Sequence, residues 1–126
     1  MGLSGSGHAT VIDAAEDVGG SDAAPRPVEL LLIAQGACTA MDVVSILKKK
    51  RMELKGFEVE VQAETPPEHP KYLTKVHLIY KFWGEGVSEE AVKRAIELSL
   101  EKYCTVANTI RGKTHISYEY KINESE

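Results

Sequence analysis

The stretch from Pro27 to Arg51, "PVELLLIAQGACTAMDVVSILKKKR", constrains this chain more than any other. Proline suits the first helical position, where its missing N–H costs nothing. Glu29 follows in the first turn and meets the positive end of the helix dipole, while the closing "KKKR" sets cations at the negative end. Between them Val28, Leu30, Leu31, Leu32, Ile33, Ala34, Ala37, Cys38, Ala40, Met41, Val43, Val44, Ile46 and Leu47 surround most of a helix. A helix apolar nearly all round is buried on most sides. Gln35, Thr39, Asp42 and Ser45 form its one narrow polar stripe. At about 100° per residue, Gln35, Asp42 and Ser45 fall within roughly 60° of Cys38.

The flanking segments read as alternating elements. "HATVID" (8–13) is one possible strand, and "EDVGGSDAAPRP" a long loop. "FEVEVQAE" alternates Phe57, Val59, Val61 and Ala63 against Glu58, Glu60, Gln62 and Glu64, the pattern of a half-buried strand. In "KYLTKVHLIYKFW", Tyr72, Thr74, Val76, Leu78, Tyr80 and Phe82 share a face. Ser88 is a natural N-cap for a second helix, with Glu89 and Glu90 in its first turn. That helix carries Val92, Ala95, Ile96, Tyr103, Cys104, Val106, Ala107 and Ile110, and stops at Gly112. "THISYEYKI" closes the chain with Ile116, Tyr118, Tyr120 and Ile122 on one face. The order β, long α, β, β, α, β predicts an α+β fold, an antiparallel sheet packed on two main helices. The expectation is a single domain over 1–126, with no internal repeat.

Composition narrows the function classes. With 126 residues, 43% hydrophobic and 27% charged, the chain can build one core. Its net charge of −4 argues against a nucleic-acid partner, which demands clustered excess Lys and Arg. No basic and apolar leader is visible, and no apolar run is expected to approach the roughly 20 residues of a bilayer span. A cytoplasmic protein with no membrane partner is therefore expected. Two cysteines make no disulfide framework; in a reducing compartment they are two buried thiols or a redox couple. His8, His69, His77 and His115 are scattered and the cysteines lack CxxC spacing, so no metal is expected. No phosphate-binding Gly-rich loop precedes a helix, and no cofactor is expected. By composition alone Cys38 is a small core residue, since free thiols are among the most buried side chains. It nevertheless borders the one place where its helix tolerates polarity.

"PVELLLIAQGACTAMDVVSILKKKR" followed by "ELSLEKYCTVANTI" resembles the OsmC/Ohr family of thiol peroxidases, and within it the YhfA-like branch. "GHATVID…VGG" and "EHP" before a long strand fit the same branch, so the likeness runs from about Gly7 to near the end. The resemblance implies an OsmC-like fold, a homodimer with the long helices at its centre, and the family's N-terminal hairpin in shortened form. It further implies reduction of organic hydroperoxides in oxidative-stress defence. Cys38 would be the peroxidatic thiol, Cys104 the resolving one, and an external dithiol the reductant. The family's activating Glu stands ten residues before the first Cys. Here that place holds Val28, and the acid is Glu29. On a straight helix Glu29 lies about 13 Å below Cys38 and points away, so it reaches the thiol only through a break near Gly36. None of Arg26, Arg51, Arg94 and Arg111 stands in the family's arginine motif. That absence keeps a rival open: a non-catalytic dimeric scaffold that binds a small apolar or thiol-bearing ligand.

Overall fold

The computed structural model describes residues 1–124. Its contacts divide the chain into two compact units, Met1–Ile33 and Ala34–Glu126.

The first unit holds a short hairpin in which β1 (Gly2–Leu3) pairs antiparallel with β2 (Ala9–Thr10). The strand expected over 8–13 is thus cut to two residues. The chain turns away at Asp13, whose carboxylate accepts the backbone N–H groups of Ala14, Ser21 and Ala23. Those three donors hold the Asp13 carboxyl below its ordinary value, the Ala14 bond most of all.

Helix α1 (Pro27–Lys49) starts where expected, ends two residues short of Arg51, and runs unbroken through Gly36. Its start is fixed by Glu29, whose Oε1 accepts the backbone N–H of Arg26 at 2.9 Å, one half of a capping box. Two expectations about this helix need correction. Over its best 18-residue window its mean hydropathy is 1.9, so by length and composition it is apolar enough to cross a membrane. The four polar residues of its stripe are too few to lower that mean. Nor is the helix buried on most sides within the chain. Its fully or nearly covered positions are Gln35, Gly36, Thr39, Val43 and Leu47, a single seam at helical spacing. Ile33 and Met41 stand 58% and 71% exposed.

In the second unit, β3 (Gly56–Glu64), β4 (Lys75–Trp83) and β5 (His115–Ile122) form a sheet of order β3-β4-β5. Tyr80 lies opposite Val59 on one side and Tyr120 on the other, and these mark the inner face. Val76, Leu78, Tyr80 and Phe82 are fully buried there, as the alternation predicts. Tyr72 and Thr74, expected on that face, precede the strand. Gly36 brings α1 close to β3: a Cβ at this position would sit 2.9 Å from Cγ2 of Val61. The outer face is polar, with Lys81 bridging Glu58 at 3.4 Å and Glu60 at 3.8 Å, and His77 on Ser117.

The sheet is mixed, not antiparallel throughout. β3 and β4 pair antiparallel, but β5 runs parallel to β4, with His115 beside Lys75 and Ile122 beside Phe82. The helical segment between them carries the chain back to the start of β4, and a strand entered from there must run the same way.

That segment is not one helix. Ser88 caps α2 (Glu89–Leu98) as expected, its hydroxyl accepting Ala91 N–H. A wide π turn follows over Ser99–Tyr103, and Cys104 is extended at φ −74°, ψ 104°. Helix α3 (Thr105–Ile110) then starts afresh. Val92, Ala95 and Ile96 are buried, whereas Tyr103, expected in the core, is 52% exposed.

Candidate functional site

The two thiols meet where α1 passes the break between α2 and α3. Cys38 is half-buried on α1, and Cys104 is fully buried at the break. The break decides how Cys104 is presented. In an unbroken helix its sulfur would be one more side chain on a rod. Here it is the N-cap of α3, and Sγ accepts the backbone N–H of Ala107 at 3.5 Å. Gln35, one turn before Cys38 on α1, donates Nε2–H to the same sulfur, also at 3.5 Å. Burial pushes the Cys104 thiol above its ordinary value, and the neighbouring Cys38 thiol pushes it further. The N–H groups of Ala107 and Gln35 pull the other way. The structure therefore places Cys38 and Cys104 near each other.

Next to the thiols in sequence, on α1 and the π turn, stands a chain of hydroxyls. Thr39 Oγ1 is 2.8 Å from the Tyr80 hydroxyl and 2.7 Å from Ser99 Oγ, and Ser99 donates to Asp42 Oδ2 at 2.8 Å. Thr39, Tyr80 and Ser99 are fully buried. Each hydroxyl thus replaces the water it gave up on folding. Burial raises the Tyr80 hydroxyl well above its ordinary range. The chain ties α1, β4 and the π turn together, and so fixes the levels at which Cys38 and Cys104 sit. Arg111 braces the π turn from the other end, donating to the Leu100 carbonyl and, at 2.7 Å, to Asn108 Oδ1.

The polar stripe read from the sequence supplies Gln35, Thr39 and Asp42 to this centre. Ser45 is exposed and stays outside it. Ser99 and Tyr80 were not singled out. Ser99 has no local signal, and Tyr80 looks like any inward strand residue until its hydroxyl finds Thr39. Glu29 does not join the thiols by a described contact; its carboxylate is engaged at the start of α1, and the break near Gly36 is absent. Among the described residues no cluster of His, Cys, Asp and Glu could hold a metal ion.

A long helix laid on a mixed three-stranded sheet, with a second, broken helix bringing a buried thiol to it, is the architecture of OsmC-like proteins. The sequence model for OsmC-like protein matches residues 19–119, and the chain belongs to that family. Protein YhfA of Escherichia coli K12 is 38% identical over 122 residues, covering 97% of this chain and 88% of YhfA. A hypothetical protein from Aquifex aeolicus VF5 is 36% identical with a TM-score of 0.72, over 82% of this chain and 79% of that one. An organic hydroperoxide resistance protein OsmC from Legionella pneumophila shares the fold at a TM-score of 0.67 and 16% identity, over 86% of this chain and 78% of that one.

Proposed function

We propose that the protein is a thiol-dependent peroxidase that reduces organic hydroperoxides in the cytoplasm, in defence against oxidative stress. The observation that carries this is the proximity of two thiols from separate elements, Cys104 being set at a helix break by Gln35 and Ala107. Cys38 is the better placed to meet a substrate, since it is partly open whereas Cys104 is fully buried.

The Cys38 thiolate attacks the terminal peroxide oxygen. The O–O bond breaks, the alkoxide leaves and takes from solvent the proton that the thiol had released there, and the sulfur is oxidised to a sulfenic acid. Cys104 then attacks the Cys38 sulfur. The S–O bond breaks, water leaves with the Cys104 proton, and a disulfide remains. An external dithiol reopens it by thiol–disulfide exchange. The apolar residues around Cys38 on α1 favour an alkyl group over bulk water beside the reacting oxygen, hence organic hydroperoxides. Glu29 enters this scheme through the start of α1, which it caps, and so through the placement of the rod that carries Cys38.

The working form is a homodimer. Ile33, Met41 and Val44 are large apolar side chains left exposed on α1 of a single protomer, and a second copy would cover them.

The rival function, a non-catalytic dimeric scaffold for an apolar or thiol-bearing ligand, draws on one specific feature. Arg111, the arginine closest in sequence to Cys104, spends its guanidinium on Leu100 and Asn108, and an unassisted buried thiol reacts slowly. Consumption of an alkyl hydroperoxide by the purified protein with a dithiol separates the two. The peroxidase consumes peroxide catalytically, loses this on Cys38→Ser, and leaves a trappable sulfenic acid on Cys38 in Cys104→Ser. A scaffold shows no dithiol-dependent consumption, and its two Ser variants change stability alone.

A further inference from the structure

Gln35 is fully buried, and its amide is half used. Nε2 donates to Cys104 Sγ, while Oε1 is a buried acceptor with no hydrogen-bond partner. Such an orphan is disfavoured in a folded protein unless something fills it at another stage of the working cycle. Gln35 and Cys38 are i and i+3 on one unbroken helix and are therefore surface neighbours on it. The resting thiols supply no donor to Oε1. A sulfenic acid on Cys38 would, because oxidation adds an O–H to that sulfur.

We propose that Gln35 is the positioning residue of the resolving step: Nε2 holds the Cys104 sulfur towards Cys38, and Oε1 receives the O–H of the Cys38 sulfenic acid. The inference rests on the peroxidase function proposed above. It gives the amide two simultaneous tasks. The N–H stabilises the Cys104 thiolate that must form before the sulfur attacks. The carbonyl orients the departing hydroxyl away from the incoming sulfur. The bond changes are those already given: S–S forms, S–O breaks, and water carries off the Cys104 proton. The ionisable groups that bear on the Cys104 sulfur are Cys38 from α1 and Tyr80 from β4. Neither can supply an N–H, so the task falls to Gln35 and the Ala107 backbone.

Gln35→Met removes both polar atoms at nearly constant volume, and Gln35→Glu keeps the shape while exchanging the N–H for an acceptor. Two readouts are needed. The first is thiolate absorbance of Cys104 against pH in the Cys38→Ser background, which requires no turnover. Both substitutions move the Cys104 titration to higher pH, Glu further than Met. The second is single-turnover oxidation by one equivalent of an alkyl hydroperoxide with both cysteines present. Disulfide formation slows by about tenfold, the order set by one lost hydrogen bond, and a sulfenate probe now captures Cys38. An unchanged titration in both variants overturns the role of Gln35, as does an unchanged rate of disulfide formation. If the protein with native Gln35 forms neither sulfenic acid nor disulfide, the peroxidase function falls and takes the Oε1 task with it. The titration still reads the Nε2 bond in that case.

Discussion

Thr39 Oγ1 and Ser99 Oγ lie 2.7 Å apart, 60 residues distant in sequence, and both are fully buried. Through this contact the helix bearing Cys38 grips the turn that delivers Cys104. Thr39→Val keeps the shape and removes the hydroxyl, leaving the Tyr80 hydroxyl without the partner it has at 2.8 Å. The expected loss is about 2 kcal/mol, the cost of stranding a buried polar group. Denaturant midpoints at unchanged slope measure it; a loss below about 0.5 kcal/mol would mean the hydroxyl chain is not holding the two elements.

Alkali should weaken the fold. Burial raises the Cys104 thiol above its ordinary 9.0 and the Tyr80 hydroxyl above its ordinary 10.0. Below those values the folded and unfolded chains both keep their protons, and the stability is whole. As pH climbs past about 9, the unfolded chain releases protons that the folded chain retains. Stability then falls by up to about 1.4 kcal/mol per pH unit for each such group until the folded group titrates too. Cys104→Ala should flatten the earlier part of that decline. Melting curves at stepped pH that show the same slope in both proteins would remove Cys104 as its source.

The proposed homodimer would give Met41 a role that an isolated chain does not. Its side chain is 71% exposed, so Met41→Glu should barely disturb an isolated protomer. In a homodimer packed through α1 the same change buries a charge and weakens association by tenfold or more, about 1.4 kcal/mol. Sedimentation velocity across a dilution series distinguishes these. A folded wild-type monomer throughout, or a Met41→Glu protein that associates as tightly, would contradict the assembly.

Much of this was legible in the residues, and the exceptions have physical causes. Pro27 and the lysine-rich end bound α1 because both act locally, on helix termini. The period of two in "FEVEVQAE" fixes which face is buried, for the same reason. Strand direction is different: alternation looks the same read either way, and only the returning helix between Trp83 and His115 makes β5 parallel. The break at Cys104 was hidden as well. "SLEKYCTV" contains no Gly or Pro, and what holds the π turn open is tertiary, namely Thr39 on Ser99 and Arg111 on Leu100. Cys38 and Cys104 stood out through their family motifs. Gln35 stood out only as polar, since its bond to Cys104 joins residues 69 apart.

The central claim is that Cys38 and Cys104 form one redox pair, and the most direct measurement is the thiol count after oxidation. The reduced protein is treated with one equivalent of an alkyl hydroperoxide, denatured, alkylated and weighed by mass spectrometry, with peptide mapping of the product. The account predicts loss of two hydrogens, no alkylation at either cysteine, and an intramolecular Cys38–Cys104 cross-link that a dithiol reverses. Full alkylation of both cysteines after the oxidant would contradict it.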